Sequence, residues 1–200
     1  MVLGGNSRAA YPETMTVSPP ARDEVTLRPA TLADVSTLDA WDREPHVIAC
    51  SNDDPDADVA FGSDWADEVT NSAYELTYLI AEVDGRPIGA MAVCDPHTES
   101  SHYWGDIEPG LRAIDIWIGP PEWLGRGAGT QMMTLMIDRC FAEAGVTAIV
   151  IDPLNSNTAA QRFYRRLGFV EVGRRMFDQD DCLVMRLEKT GWQSRQALQA

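Results

Sequence analysis

Residues 124–130 of this chain read Leu-Gly-Arg-Gly-Ala-Gly-Thr, and the pattern of an amphipathic helix begins directly after them. Closely spaced glycines leave the main chain uncovered, so successive N–H groups can turn toward a single anion. The N-terminus of the following helix adds the positive end of its dipole. The segment therefore predicts a phosphate-binding loop, and a pyrophosphate fits best because two linked phosphates use several donors at once. Glycine spacing alone also fits a tight turn that caps a helix, so the surrounding pattern has to decide.

Size and composition restrict the classes of protein that this chain can belong to. Its 200 residues, of which 44% are hydrophobic, suffice for one domain with a substantial core. A formal net charge of -15 disfavours nucleic acid and anionic membranes and favours a cationic small molecule, although solubility alone also explains it. No run of 18 apolar residues and no signal-peptide pattern is present, so we expect a cytoplasmic protein. The cysteines and histidines lack metal-ligand spacing, so we expect no metal site.

Hydrophobic periodicity predicts one mixed α/β domain over residues 22–190, preceded by a flexible arm at 1–21 and followed by a C-terminal tail at 191–200. The predicted strands are 24–28, 76–83, 87–94, 111–119, 146–152, 169–175 and 182–187. The predicted helices begin at Thr31, near Asp64, after the glycine loop, and at Asn155 or Ser156. Pro45, Gly145 and Gly168 are expected to end the first, third and fourth of these helices.

A charged residue interrupts the apolar strand predicted at 111–119. Asp115 shares one face of that strand with Ala113 and Trp117, while three isoleucines occupy the other face. An unpaired carboxylate buried among apolar residues costs several kcal/mol, roughly the usual penalty for burying a charge. Asp115 therefore either has a partner, such as Arg112, or faces a cleft.

Four features in this order resemble the GNAT superfamily of acyl-CoA N-acetyltransferases. They are a strand, the glycine loop with its helix, a second strand that ends in Asp152-Pro153-Leu154-Asn155-Ser156-Asn157, and the helix end Phe163-Tyr164-Arg165-Arg166-Leu167-Gly168-Phe169. The resemblance covers residues 24–187 and implies a mixed, splayed central β-sheet flanked by helices, with acetyl-CoA bound between the two central strands. The family loop usually opens with Arg or Gln, whereas this chain has Leu124. That difference removes a side-chain contribution but leaves the main-chain donors.

Within the superfamily, the chain is most similar to the aminoglycoside 6'-N-acetyltransferases, which are bacterial resistance enzymes. The similar segments are Tyr103-Trp104-Gly105-Asp106, Pro109-Gly110-Leu111-Arg112-Ala113-Ile114-Asp115 and Ile151-Asp152-Pro153. The resemblance implies transfer of an acetyl group from acetyl-CoA to the 6'-amine of a cationic aminoglycoside. Two alternatives stay open: another amine acceptor (a polyamine, a siderophore precursor or a protein N-terminus), or a non-catalytic acyl-CoA-binding module. Both a monomer and a homodimer fit the sequence.

Acetyl transfer to an amine requires a neutral amine, donors for the oxyanion and a proton for the departing thiolate. Because the sequence shows no covalent nucleophile set, we expect direct transfer. Asp115 is the candidate proton acceptor and Tyr164 the candidate proton donor, although Tyr164 also fits an ordinary core tyrosine. Asp152 is expected to bind a substrate ammonium group or else to cap the next helix.

The resemblance assigns the remaining site residues. The residues expected to bind the cofactor are Trp117 and Ile118 through their main chain, the loop residues Gly125, Arg126, Gly127, Ala128, Gly129 and Thr130, and Asn157. The residues expected to bind the acceptor are Trp104, Asp106, Asp115 and Asp152, with a further subset drawn from Asp53, Asp54, Glu68, Glu99, Tyr103 and Asp178. Carboxylates and aromatic faces suit ammonium groups and sugar rings.

Overall fold

The computed structural model describes residues 23–70 and 75–199, and these form one seven-stranded sheet of order β1-β2-β3-β4-β5-β7-β6. The strands are β1 (Val25–Pro29), β2 (Thr77–Val83), β3 (Arg86–Cys94), β4 (Leu111–Ile118), β5 (Ala148–Ile151), β6 (Val170–Phe177) and β7 (Asp180–Glu188). Only β4 and β5 pair in parallel, and the other neighbours are antiparallel. The mixed sheet predicted from the sequence is confirmed.

Helices flank the sheet on both faces. They are α1 (Val35–Trp41), α2 (Pro45–Ser51), α3 (Trp65–Thr70), α4 (Ala128–Ala142), α5 (Thr158–Leu167) and α6 (Lys189–Gln199), with 3-10 turns at Leu32–Asp34 and Pro121–Trp123. Within the described residues, none of these helices is long and apolar enough to cross a membrane. The expected arm at 1–21 lies outside the described residues.

The C-terminal segment set apart as a tail is largely helical. Residues 191–199 belong to α6, which begins directly after β7. Trp192 of α6 is buried, and its indole Nε1 donates to Asp138 of α4 at 2.7 Å. The segment therefore packs against the domain that precedes it.

Two helix boundaries differ from the sequence prediction. The first helix ends at Trp41, and Pro45 begins a second helix, α2, that the pattern did not indicate. Proline suits the first position of a helix because the N–H it lacks has no partner there. The N-cap of α5 is Asn157 rather than Asn155 or Ser156, since its Oδ1 accepts from the Ala160 N–H at 3.0 Å. The N-cap is the residue whose side chain accepts from an N–H group of the first helical turn. The spacing of residues in the sequence does not show which of several polar residues does so.

The buried side chains form three clusters, divided between the two faces of the sheet. On one face, α4, α5 and α6 cover a core that includes Met132, Met136 and Tyr164. The opposite face packs against α1 to α3 around Trp41, Trp65 and Trp117, and against the 95–110 loop through the third cluster. Asp115 lies on this second face, because side chains along β4 alternate between the faces.

The sheet is splayed at its centre. β4 pairs with β5 at only three positions, Leu111↔Ala148, Arg112↔Ile149 and Ala113↔Val150. Beyond Ala113, β4 continues alongside β3 to Ile118, whereas β5 ends at Ile151. A gap therefore opens between the two parallel strands at their carboxyl ends, which is where α/β sheets bind ligands.

Candidate active site

A cavity of about 930 Å³ occupies the gap between β4 and β5. Its walls come from the end of β4, the glycine loop, the β5–α5 turn, the first turns of α5 and part of the 95–110 loop. The cavity brings together Asp115, Asp152 and Tyr164 with Gly125 and Gly127 of the glycine loop. Segments that lie far apart in the sequence thus meet at one opening.

The glycine loop contributes main-chain donors to this cavity. Gly125 and Gly127 have φ values of 72° and 87°, a region that favours glycine. Gly127 is the N-cap of α4, and its carbonyl accepts from the N–H groups of Thr130 and Gln131. Within the described part of the chain, the N–H groups of residues 125–129 have no main-chain acceptor. These unpaired donors at a helix N-terminus fit phosphate oxygens.

One loop residue does not reach the cavity. The Arg126 guanidinium lies over the Trp123 ring, 5.6 Å from its centroid, and Arg126 is not part of the cavity wall. The other five predicted loop residues, 125 and 127–130, all line it. The cradle therefore consists of backbone and small side chains, as the glycine spacing indicates.

The exposed edge of β4 offers one further donor. The Gly119 N–H donates to Ile88 O of β3 at 3.1 Å, so by strand alternation the Trp117 peptide also faces β3. Ile118 then faces the gap, and its carbonyl accepts from Nε2 of His46 at 2.9 Å. The Ile118 N–H is thus directed at the gap, whereas Trp117 contributes its side chain to the cavity wall.

Asp115 faces the cavity and is not paired with the arginine beside it. Arg112 instead donates to Asp95 at 2.9 Å and to Glu143 at 2.6 Å. Desolvation by the surrounding protein, followed by the negative charge of Asp152, raises the pKa of Asp115 to about 7. A carboxylate with a pKa near neutrality can accept a proton at physiological pH.

Asp152 follows β5 and accepts a hydrogen bond from the Tyr103 hydroxyl at 2.6 Å. Burial raises the pKa of Asp152, while the Tyr103 hydroxyl and the positive charge of Arg175 oppose that rise. The two carboxyl groups interact, so their protons leave as those of a coupled pair. The structure does not use Asp152 as a helix cap, because Asn157 caps α5.

Tyr164 lies on α5, Asn157 is the N-cap of that helix, and both residues line the cavity. Tyr164 is 8% exposed, and desolvation together with the nearby Asp115 raises its pKa further above the ordinary tyrosine value. Its hydroxyl therefore keeps its proton at neutral pH. Asn157 uses its Oδ1 as the cap of α5, which leaves the amide group of the side chain as a donor.

The predicted acceptor-binding residues are only partly brought together. Trp104 is buried and lines the cavity, whereas Asp106 is exposed and lies outside its wall. Among the other candidates, Tyr103 and Glu99 line the cavity. Asp53, Asp54, Glu68 and Asp178 do not line it. Asp53 instead accepts from the Ser156 hydroxyl at 2.6 Å and thereby ties its loop to the start of α5.

Glu99 is 2% exposed, although it carries a carboxyl group. Its Oε2 accepts from the Ser101 N–H at 2.8 Å and from the Ser101 hydroxyl at 2.5 Å. Its Oε1 is buried and has no hydrogen-bond partner in the described structure. Glu99 thus shapes the turn that leads to Tyr103.

Several residues at the site carry no sequence signal. Phe61 packs on Trp117, with 4.8 Å between the ring centroids, and forms part of the wall. Arg175 and Phe177 of β6 contact the 95–110 loop beside the cavity. These side chains reach the site through the packing of the fold.

Within residues 23–70 and 75–199, no group of three His, Cys, Asp or Glu side chains could hold a metal ion.

Comparison with known proteins shows the family to which this chain is similar. The model of the family described as Acetyltransferase (GNAT) domain matches residues 30–177. The aminoglycoside N(6')-acetyltransferase type 1 of Klebsiella pneumoniae is 28% identical over 155 residues, which cover 76% of this chain and 77% of that protein.

Solved structures of an aminoglycoside acetyltransferase share the fold of this chain. A crystal structure of the aminoglycoside acetyltransferase AAC(6')-Ib with coenzyme A has a TM-score of 0.75 and 27% identity, and the match covers 86% of this chain and 99% of that one. A structure of the same enzyme with coenzyme A and kanamycin also has a TM-score of 0.75, at 26% identity and with the same coverage.

Proposed function

We propose, because this chain belongs to the GNAT acetyltransferase family, that it transfers the acetyl group of acetyl-CoA to the 6'-amine of an aminoglycoside. The observation that carries the proposal is the meeting of two carboxyl groups, Asp115 and Asp152, with the glycine loop at one cavity. The two carboxyl groups suit a cationic amine, and the glycine loop suits the anionic phosphates of an acyl carrier. The similarity to aminoglycoside acetyltransferases selects this class of amine.

The residues present fit acetyl-CoA as the acyl donor. The unpaired N–H groups of residues 125 and 127–129 would hold the pyrophosphate at the N-terminus of α4. The Ile118 N–H and the Asn157 amide would bind the carbonyl groups of the pantetheine arm. The acyl end would then lie in the gap between β4 and β5, beside Asp115.

The proposed reaction is a direct transfer. Asp115, with a pKa near 7, takes the proton that the substrate ammonium must lose, either itself or through a water molecule. The neutral amine attacks the thioester carbon, a C–N bond forms and the C–S bond breaks. Tyr164, which is protonated at neutral pH, gives its proton to the departing thiolate, and the second proton of the attacking nitrogen, released as the amide forms, restores the Tyr164 hydroxyl through a water molecule. No covalent acetyl-enzyme is required.

The acceptor side of the cavity is built for a cation with sugar rings. Asp152 would bind an ammonium group, since it lines the cavity and its carboxylate retains accepting capacity beyond the Tyr103 hydroxyl. Tyr103, Trp104 and Phe61 line the same cavity and offer flat faces for the rings. The net charge of -15 attracts a polycation to this surface.

A thiol-release assay tests the proposal. Purified protein receives acetyl-CoA and, in separate reactions, kanamycin, tobramycin, spermidine or a short peptide with a free N-terminus. The expected result is thiol release with the two aminoglycosides, and mass spectrometry that places the acetyl group on the 6'-nitrogen. Release with spermidine or the peptide alone would assign a different acceptor. Binding of acetyl-CoA without release in any reaction would leave only a binding module.

A further inference from the structure

Arg175 lies on the edge strand β6 and reaches across to the 95–110 loop. Its Nη1 donates to the Trp104 carbonyl at 2.6 Å, and its Nη2 lies 3.4 Å from the Tyr103 carbonyl. The guanidinium also lies over the Phe177 ring, 4.6 Å from the centroid. One side chain thus ties two consecutive carbonyls of the loop to the β6–β7 hairpin.

This tie fixes the side chain that contacts Asp152. The Tyr103 ring stacks on Phe177 with 4.4 Å between centroids and 13° between planes, and its hydroxyl donates to Asp152 at 2.6 Å. Gly105, with a φ of 62°, closes the turn against Arg175, since a Cβ there would lie 3.2 Å from Nη2. The loop backbone, the tyrosine ring and the carboxylate therefore form one connected unit.

We propose that Arg175 is a positioning residue for acetyl transfer, which holds Tyr103 on Phe177 with its hydroxyl at Asp152. Asp152 is thereby held where it can receive the acceptor's ammonium, while Asp115 is the carboxylate that takes the proton. This inference rests on the proposed function, although the tie between Arg175 and the loop can be measured without any acceptor.

The charges around the two carboxyl groups support this division. Burial raises the pKa of Asp152, the hydrogen bond from Tyr103 and the positive charge of Arg175 oppose that rise, and the negative charge of Asp180 adds to it. Burial raises the pKa of Tyr78, Cys94 and Tyr164 near Asp115 and of Cys182 near Asp152, so these groups are uncharged at neutral pH. Arg175 is therefore a cation whose charge acts on Asp152.

The decisive experiment compares Arg175→Met with Arg174→Met. Arg174 is the neighbour of Arg175 on β6, is exposed and pairs with Asp181, so its replacement removes the same charge without touching the loop. For Arg175→Met, we expect the acceptor KM to rise about tenfold and the acid limb of kcat/KM to move up by about half a pH unit. Hydrogen exchange of the free protein should accelerate over residues 99–106. Arg174→Met should change none of these.

Tyr103→Phe isolates the hydroxyl, because the phenylalanine ring keeps the stack on Phe177. We expect it to shift the acid limb in the same direction as Arg175→Met and to leave exchange over residues 99–106 unchanged. The inference is overturned if Arg175→Met lowers activity without moving the acid limb, if Tyr103→Phe leaves the limb in place, or if both arginine variants behave alike. Lack of activity in the wild type, with accelerated exchange in Arg175→Met only, would instead remove the proposed function and leave the tie intact.

Discussion

The two sides of the central cavity recognise their ligands by different means. On the side of the glycine loop, the groups that face the cavity are the main-chain N–H groups of residues 125 and 127–129. On the other side, they are side chains from the 95–110 loop, β4 and the end of β5, among them Tyr103, Asp115 and Asp152. The first side depends on the absence of side chains, and the second on their charge.

Because of this difference, the groups proposed to bind the cofactor are not the groups proposed to transfer protons. Backbone donors hold a phosphate irrespective of pH, because a peptide N–H does not titrate. The carboxyl groups of Asp115 and Asp152 have raised pKa values, so the acceptor side responds to pH and to single charge changes. Substitutions on one side should therefore leave the other side's ligand largely unaffected.

The largest effect is expected from Asp115→Asn, which removes the proton acceptor but keeps the shape of the side chain. We expect kcat to fall by about 10²- to 10⁴-fold, the usual contribution of a general base. The dissociation constant of coenzyme A, measured by calorimetry, should stay within about twofold. Asp152→Asn is the matched variant, and its main effect should be a higher acceptor KM. If Asp115→Asn weakened coenzyme A as strongly as it lowered kcat, the two sides would not be independent.

A smaller effect is expected on the backbone side from Gly127→Ala. Gly127 has a φ of 87°, and an alanine in that region costs about 1–2 kcal/mol, although a Cβ there meets no atom within 4 Å. The loop should relax and turn its donors away, so coenzyme A should bind up to about tenfold more weakly. kcat at saturating acetyl-CoA should change little.

Gly145→Ala is the matched control for that prediction. Gly145 has a φ of 86°, and a Cβ there also meets no atom within 4 Å, but it lies in the turn between α4 and β5 and does not line the cavity. We expect a similar loss in the free energy of unfolding with no change in coenzyme A affinity. Equal affinities in the two variants would show that the shape of the glycine loop does not govern binding.

The smallest expected effect that separates the two sides of the cavity is the pH dependence of kcat/KM. Asp115 has a pKa near 7 and must be ionised to accept a proton, so kcat/KM should fall as the pH drops below about 7. Coenzyme A affinity should stay flat across the same range. The residual activity of Asp115→Asn, assayed with the same acceptor so that the acceptor's own titration cancels, should lack the part of this limb that belongs to Asp115 and keep the part that belongs to Asp152. An unchanged limb in the variant would assign it to another group.

The sequence revealed the backbone side more completely than the side that carries the charge. Glycine spacing before an amphipathic helix is a local pattern, and five of the six predicted loop residues line the cavity. Asp115 was visible because a carboxylate interrupts an apolar strand. Arg175 and Phe177 were not visible, because their contacts with Tyr103 and Trp104 join residues about 70 positions apart. Asp106, expected from the resemblance, is exposed and lies outside the cavity wall, after the turn at Gly105.

The seam between β4 and β5 has a consequence for the motions of the domain. It holds only three residue pairs, while the other neighbouring strands hold four to seven. The strands before the seam follow one another as a meander, and those after it form a second block of β5, β7 and β6. Small movements that separate neighbouring strands therefore cost the least free energy between β4 and β5. A ligand that enters between β4 and β5 therefore separates the strands where the fewest residue pairs hold them together. Neither block of strands has to unfold to admit the ligand.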